Sequence, residues 1–589
     1  MQLENLDWGI IALFFLVSLG IGLYASRSSG DSTKEFFLSG RNMPWWLLGV
    51  SMVATTFSAD TPNLVTDIVR KNGVAGNWAW WAFLLTGMLT VFVYARLWRR
   101  SGVMTDLEFY EMRYSGKPAR FLRQFRAIYL GVFFNVMIMA TVCLAGIKIA
   151  GILLGLDPIT TVLLVSVVTV AYSAIGGFKG VVITDFVQFS FAMIGAVWAA
   201  IYILNLPEIG GLDALFAHAN VADKLDLVPS FDNPEVYVPL FVVPIAVQWW
   251  SVWYPGAEPG GGGYIAQRML AAKNEKHAVG ATLLFNVFHY ALRPWPWILI
   301  ALASLVVFPD LASIQAAFPG VDPSVVNDDL AYPAMLSYLP KGLMGLVIAS
   351  LIAALMSTLS THLNWGSSYV VHDWYQRFIK PEASEKELVS IGRISTVLLM
   401  VFAAILALAL SNALQAFNIL LQIGAGTGLI FILRWFWWRI NAYTEIAGMF
   451  LSFAVALFLE FGYEPLGFPE LLDYQKLLLG ISITTIGWLT VTFMTPPTDA
   501  ATLETFFRKI HPSGPGWAPV AAAIPADAVV AQDQHLTLRI GAVFIGAIAV
   551  YSILFATGFY LYGNLLATLT SVGIALAGVG FLWGNRSKL

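Results

Sequence analysis

The sequence predicts an all-α polytopic membrane protein. Two inverted groups of five helices follow one N-terminal helix and precede about four more. Three observations carry this reading. Of 589 residues, 12% are charged and 58% hydrophobic, with mean hydropathy +0.72; a soluble protein carries about a quarter charged residues. About fifteen runs are apolar over roughly the 20 residues that a helix needs to cross a bilayer. Two of those runs are interrupted, and they lie five spans apart.

In chain order the runs lie near 7–26, 44–70, 78–98, 127–154, 159–175, 181–204, 237–266, 278–308, 333–371, 390–411, 413–438, 443–460, 472–494, 537–558 and 562–584. The leading MQLENLDW carries Glu4 and Asp7 and no Lys or Arg, whereas a cleaved signal sequence starts positive. Arg27, Lys34 and Arg41 follow the first run, which puts the N-terminus outside. Alternating from there, Arg70, Lys71, Lys224, Lys341 and Lys476 fall outside, and Lys148 and Arg293 fall within spans. Every other Lys and Arg of the 33, the 268–276 stretch included, falls on the cytoplasmic side, as does the C-terminus.

This divides the chain into a first helix and cytoplasmic loop (1–43), a first five-helix repeat (44–204), an outer loop (205–236) and an inverted second repeat (237–438). Two further helices (439–494), a cytoplasmic linker (495–535) and the last helices (536–589) complete it. The outer loops 205–236 and 309–332 are long enough to hold short lid helices.

Several function classes are excluded. A net charge of −3 gives no reason to expect nucleic acid, and the single cysteine, Cys143, rules out a disulfide framework or a cysteine-rich metal site. Neither a nucleotide-binding loop nor HExxH occurs, so energy for pumping has to come from an ion gradient or another subunit. No obligatory protein partner is evident; the partners expected are a small polar solute and the lipid bilayer.

The first break lies in SMVATTFSADTPNLVTDIVRKNG, where Pro62 removes a backbone donor and leaves carbonyls near 57–59 without helical partners. The second, QWWSVWYPGAEPGGGGYIAQR, holds Pro255, Gly256, Glu258, Pro259 and four successive glycines. Irregular backbone at membrane depth is tolerated only where it lines a protein-enclosed or watery cavity. Paired breaks in inverted halves point to the midplane binding site of a secondary transporter; the alternative is a pair of packing kinks.

In SLIAALMSTLSTHLNWGSSYVVHDWY, Ser357, Ser360 and Thr361 share one helix side with Ala354 a turn earlier, and Thr358 adds a further hydroxyl. Hydroxyls and carbonyls without nearby carboxylates suit a weakly held monovalent hard cation such as Na⁺, whereas Ca²⁺ or Mg²⁺ wants carboxylates. The alternative is hydroxyls bonded back to their own helix or easing helix packing. Asp185 lies about one turn inside a span, where a carboxylate is costly and functional by default, unless it is solvated at the interface. The partner of Arg293 is Asp60 or Glu258, or a substrate oxygen or carboxylate.

With FFLSGRNMPWW, YSAIGGFKGVVITDFVQ, YIAQRMLAAKN and AALMSTLSTHLN running to HDWY in view, the chain resembles the sodium/solute symporter family over roughly 1–460. That family includes sodium–glucose, sodium–proline and sodium–sialic acid cotransporters. The resemblance implies a LeuT-type fold of two inverted five-helix repeats. It also implies a sodium site made by the carbonyls of Ala54, Phe57 and Ala354 with the side-chain oxygens of Ser357 and Thr358. Some members have a second site, matched here by Asp185, Ser357, Ser360 and Thr361, which implies one or two coupling Na⁺. The substrate positions match less well. Asp60 and Thr61 replace a Glu–Gln pair, and YPGAEPGGGG with Glu258 stands where sugar-type members carry Asn and Tyr. Arg293 replaces a lysine, and Gln422 lies near a glutamine position. Trp253, with Trp78, Trp80, Trp249 and Trp250, either stacks on a sugar ring or anchors at the interface.

The expected function is therefore sodium-coupled symport of a small polar solute across the plasma (inner) membrane, with sugar or polyol ahead of amino or organic acid. A channel or a non-transporting solute sensor with this fold is the alternative. A membrane enzyme is not expected, because no His, Cys or carboxylate cluster has catalytic spacing.

Overall fold

Backbone amides in lipid have to be paired within their own segment, and the chain meets this demand with helices. A computed structural model describes residues 3–29, 32–252, 258–319, 321, 326–410, 424, 426–524 and 535–589, with backbone alone at 26–29, 152 and 175. Among the described residues eleven helices are long and apolar enough to cross a membrane, from Asn5–Ala25 to Leu565–Gly584. The other four expected spans differ in kind. The run at 44–70 is two helices, Trp45–Thr55 and Asp60–Asn72. The run at 237–266 is helical from Pro234 to Ala246 and again over Gly263–Ala271. Pro158–Ala174 is short, and the run at 413–438 is described at 424 and from 426 onward, including the helix Gly428–Phe436. Gly177, at φ 54 and ψ −159, interrupts the long Pro158–Leu204 helix at the boundary expected between the fifth and sixth runs.

The hydroxyl-bearing helix, Leu343–Ser368, is the centre of the molecule. In the span Leu343–Ile379, 89% of the most apolar window is buried, against 11% in Leu565–Gly584 at the rim. Its start is held by Asp7, whose Oδ1 accepts the amides of Gly342 and Gly345 at 2.8 Å each. A carboxylate there satisfies orphan donors and complements the helix dipole. Short helices Leu212–Ala217 and Leu311–Ala317 sit in the two long loops at 205–236 and 309–332.

The expected 495–535 linker is folded as far as 524. Asp499 caps the helix Ala500–Ile510 by accepting the Thr502 amide at 2.8 Å. Phe506, Phe507, Ile510 and Trp517 are buried. The Trp517 indole donates to the Trp435 carbonyl at 2.8 Å, and the Arg113 guanidinium lies 4.8 Å from its ring. Arg113 also donates to the carbonyls of Arg434, Trp437 and Trp438. PPTDAAT, HPSGPG and an Ala/Pro/Val run suggested a linker; the aromatic residues at 506, 507 and 517 carry the packing instead.

Candidate functional site

The first break begins with two successive side chains. The Thr55 hydroxyl donates to the Ser51 carbonyl at 2.9 Å, and the Thr56 hydroxyl bonds the carbonyls of Met52 and Val53 at 3.1 and 2.9 Å. Such back-bonding competes with the helical ladder. The helix stops at Thr55, and a new one starts at Asp60 with Pro62 in its first turn, where a missing N–H costs nothing. The released carbonyls find partners from other helices. Thr55 O accepts the Thr358 hydroxyl at 3.0 Å, and Thr56 O accepts the Arg293 guanidinium at 2.9 Å. Ala54 O receives the Phe57 amide at 3.3 Å, and the Phe57 ring stacks on Trp297 at 5.0 Å.

The 54–57 backbone thus lies against the 354–358 turn of the central helix. Thr358 also donates to the Ala354 carbonyl at 3.2 Å, and the Ser357 hydroxyl donates to Asp185 Oδ1 at 2.6 Å. A hydroxyl that donates its proton keeps its oxygen lone pairs. The expected ligands Ala54, Phe57, Ala354, Ser357 and Thr358 would offer neutral oxygens only. No group of three or more His, Cys, Asp or Glu that could hold a metal ion occurs among the described residues.

Next to this junction sits a buried polar cluster whose full membership the sequence did not reveal. Asp185 accepts from Ser51 as well as Ser357 and pairs with Arg268 at 3.4 Å, both side chains being 0% exposed. Arg268 further bonds Thr361 Oγ1 at 2.7 Å, Ser51 Oγ at 3.0 Å and Thr55 Oγ1 at 3.3 Å. Thr361 meets Thr55 at 2.9 Å, whereas the Ser360 hydroxyl turns back to the Ser357 carbonyl at 3.0 Å. Charge counting had assigned Arg268 to the loop at 268–276. In the structure it lies on the Gly263–Ala271 helix that follows the second break, pointing into the protein. The signal was available in retrospect: the arginine falls five residues after the glycine run, on the returning half of a broken span.

The second break needs its glycines. Gly260 and Gly261 have φ of +91 and +84, a left-handed region costly to other residues, and a Cβ on Gly260 would lie 2.9 Å from the Tyr94 ring. The helix restarts at Gly263, whose amide is accepted by Asp106 Oδ2 at 2.8 Å. Burial, with the Glu258 carboxylate nearby, pushes Asp106 up to about 6. Glu258 is buried and ion-paired with Arg126 and, at 3.9 Å, with Arg434; Arg434 also pairs with Glu445 at 3.6 Å. Glu258, expected at the substrate, thus has its charge matched by two arginines beside the 102–115 connection.

For Arg293 the expected ion pairs do not form among the described residues. It pairs with neither Asp60 nor Glu258; its guanidinium donates to Thr56 O and meets His289 Nε2 at 3.0 Å. His289 Nδ1 in turn meets the Thr56 hydroxyl at 3.0 Å. Arg293 and His289 together hold the broken backbone. Asp60, by contrast, keeps accessible surface at the start of the second half-helix although protein encloses it on all sides. Thr61 beside it is half-buried and accepts the Ser58 amide at 3.2 Å. Trp80 stacks on Tyr290 at 5.9 Å and meets His289 edge-on at 5.7 Å. Trp253 and Gln422 lie outside the described residues.

The profile of the sodium:solute symporter family matches residues 36–452. A sodium/glucose cotransporter of Vibrio parahaemolyticus is 28% identical over 486 residues, which span 79% of this chain and 87% of that protein. A sodium/myo-inositol cotransporter 2 of Oryctolagus cuniculus is 27% identical over 561 residues, spanning 87% and 80%. Among solved structures, a Na⁺-coupled sialic acid symporter in a substrate-bound outward-open state has the same fold, with a TM-score of 0.69 at 21% identity over 84% of this chain and 99% of that one.

Proposed function

Because the chain belongs to the sodium:solute symporter family, we propose that it couples sodium entry to import of a small neutral polyhydroxylated solute, a sugar or polyol, by alternating access. The observation that carries this is the Thr358–Thr55 contact, which joins an interrupted mid-span backbone to a hydroxyl-bearing helix. The glucose and myo-inositol relatives support the choice of solute.

Sodium would be held by the carbonyls of Ala54, Phe57 and Ala354 and the oxygens of Ser357 and Thr358. A neutral oxygen set fits a monovalent hard ion and would bind a divalent one poorly. An ion there would tie the broken helix to the central one and order the residues that follow the break, Asp60 and Thr61. The accessible Asp60 carboxylate accepts hydroxyl protons from a neutral solute and repels an anionic one. Ion and solute affinities are then coupled reciprocally. Glu258, clamped by Arg126 and Arg434, closes the cytoplasmic side until the bundle rocks. In this reading the two breaks head inverted five-helix repeats, and the protein spans the plasma (inner) membrane with its N-terminus outside and C-terminus inside.

At 100 mV one Na⁺ gains about 2.3 kcal/mol, and a tenfold concentration ratio adds roughly 1.4 kcal/mol. Together these sustain a solute gradient of roughly 500-fold. The test is a thermal-shift screen of purified protein against sugars, polyols, amino acids and organic acids, with and without sodium. Ligands stabilise by mass action, so the cargo is the compound whose shift grows in sodium; a shift from organic acids alone would overturn the solute assignment.

A further inference from the structure

Two helices meet at the first break: Trp45–Thr55 ends there, and Glu275–Val287 leads into the turn that carries His289 and Arg293. Beside them runs an open groove of about 550 Å³, within the ~300–1,000 Å³ of ordinary ligand sites. Trp45 forms one wall, and Gly280, Leu283, Leu284 and Val287 form the other. Glycine at 280 lets the tryptophan come close, since an added Cβ would lie 3.2 Å from the Trp45 Cβ. Lys276 and His277 line the mouth. From Lys276 onward the lining residues recur at three- and four-residue spacing, so they share a helix face about 16 Å long. That is about half the ~30 Å hydrocarbon thickness of a bilayer, the depth of one leaflet.

The mouth is cationic and aromatic. Lys276 is exposed, as is Lys273, whose amide bonds the Met43 carbonyl at 3.1 Å, two residues before Trp45. Glu275 between them is engaged by Arg100 at 3.0 and 3.1 Å, and neither lysine forms an ion pair among the described residues. His277 accepts the Trp45 amide on Nδ1 at 3.1 Å, which leaves Nε2 as its N–H donor. Trp45 and Trp46 stand exposed at the same end, as interfacial tryptophans do. We propose that this groove binds an anionic phospholipid from the leaflet at that end, cytoplasmic in the topology proposed above. Its headgroup phosphate meets Lys273, Lys276 and His277, and one acyl chain lies along Gly280, Leu284 and Val287. Basic pockets between membrane helices hold anionic headgroups in this way. A zwitterionic lipid brings the chain without net charge for the lysines, and a soluble phosphate brings the charge without a chain. Because the groove borders both helices that meet at the break, a bound lipid fixes their packing and raises the thermal midpoint.

The test is native mass spectrometry of delipidated full-length protein titrated with phosphatidylglycerol, with thermal shift in the same detergent. Wild type is expected to retain one phosphatidylglycerol roughly tenfold more tightly than phosphatidylcholine, with a raised midpoint. Lys273→Gln with Lys276→Gln changes exposed side chains only, and is expected to weaken that retention roughly tenfold and abolish the midpoint rise. Lys117→Gln with Lys386→Gln, two other exposed lysines of the same membrane side in this topology, is expected to change retention less than about twofold. Equal retention of phosphatidylcholine, undiminished retention by the Lys273/Lys276 variant, or equal loss in the Lys117/Lys386 variant would each overturn the proposal. A midpoint rise of the same size from glycerol 3-phosphate would make the site one for soluble phosphate and overturn the lipid as its occupant.

Discussion

The hydroxyl of Thr358 donates to the main-chain carbonyl of Thr55 across 3.0 Å, linking residues 303 positions apart in the chain. That carbonyl is available because Thr55 ends its helix, and the hydroxyl reaches it because Thr358 projects from the most enclosed of the eleven candidate membrane helices among the described residues. A cation at this junction would be held by both elements and would report on whether they are in contact.

Thr358→Ser keeps the oxygen and is expected to keep half-maximal uptake within about twofold of the wild-type sodium concentration. Thr358→Val removes it and is expected to raise that concentration roughly tenfold, equivalent to about 1.4 kcal/mol. A sodium titration of solute uptake separates the two; equal behaviour of both variants contradicts the assignment.

Ser357→Ala removes a bond to an ionised partner, worth about 1.5–3 kcal/mol, and a sodium ligand at once. We expect at least a tenfold higher sodium requirement, measured in the same titration, with the solute KM at saturating sodium little changed.

Asp185→Asn leaves Arg268 buried without its counter-charge. Breaking such a pair costs about 3–5 kcal/mol, so a clear drop in thermal midpoint is expected.

Arg293→Met withdraws donors from the Thr56 carbonyl and from His289. Uptake of neutral and anionic solutes is expected to fall by the same factor, because the residue supports the break without facing cargo. Selective loss of anion uptake, seen in parallel uptake assays, would restore it as a substrate ligand.

Trp517→Ala opens a cavity under Arg113 and Trp435. Truncating a buried tryptophan costs about 3–5 kcal/mol, so thermal unfolding should begin earlier, while the sodium shift of the remaining folded protein persists.

Much of this architecture was legible in the sequence, for identifiable reasons. Apolar runs of bilayer length mark helices whatever they pack against. Pro62 and the glycines at 260–263 mark breaks because those residues act on their own backbone. The hydroxyl pattern at 357–361 is also local, since it depends only on helical spacing. What the sequence hid depends on partners far along the chain. Arg268, Arg126 and Arg434 read as basic flanks until the fold sets carboxylates against them. Glu258 and Arg293 looked like candidates for each other, yet each is taken by groups from elements that no spacing rule connects. Trp517 looked like part of a linker because its pocket is built from residues 113 and 435.

The central claim is tested most directly by solute accumulation in proteoliposomes under an imposed inward cation gradient. With sodium outside, internal solute is expected to overshoot its equilibrium level and then decline as the gradient dissipates; with potassium or choline outside, it should only equilibrate. Equal overshoot in all three cations would contradict a sodium ion held between the 54–57 backbone and the 354–358 turn.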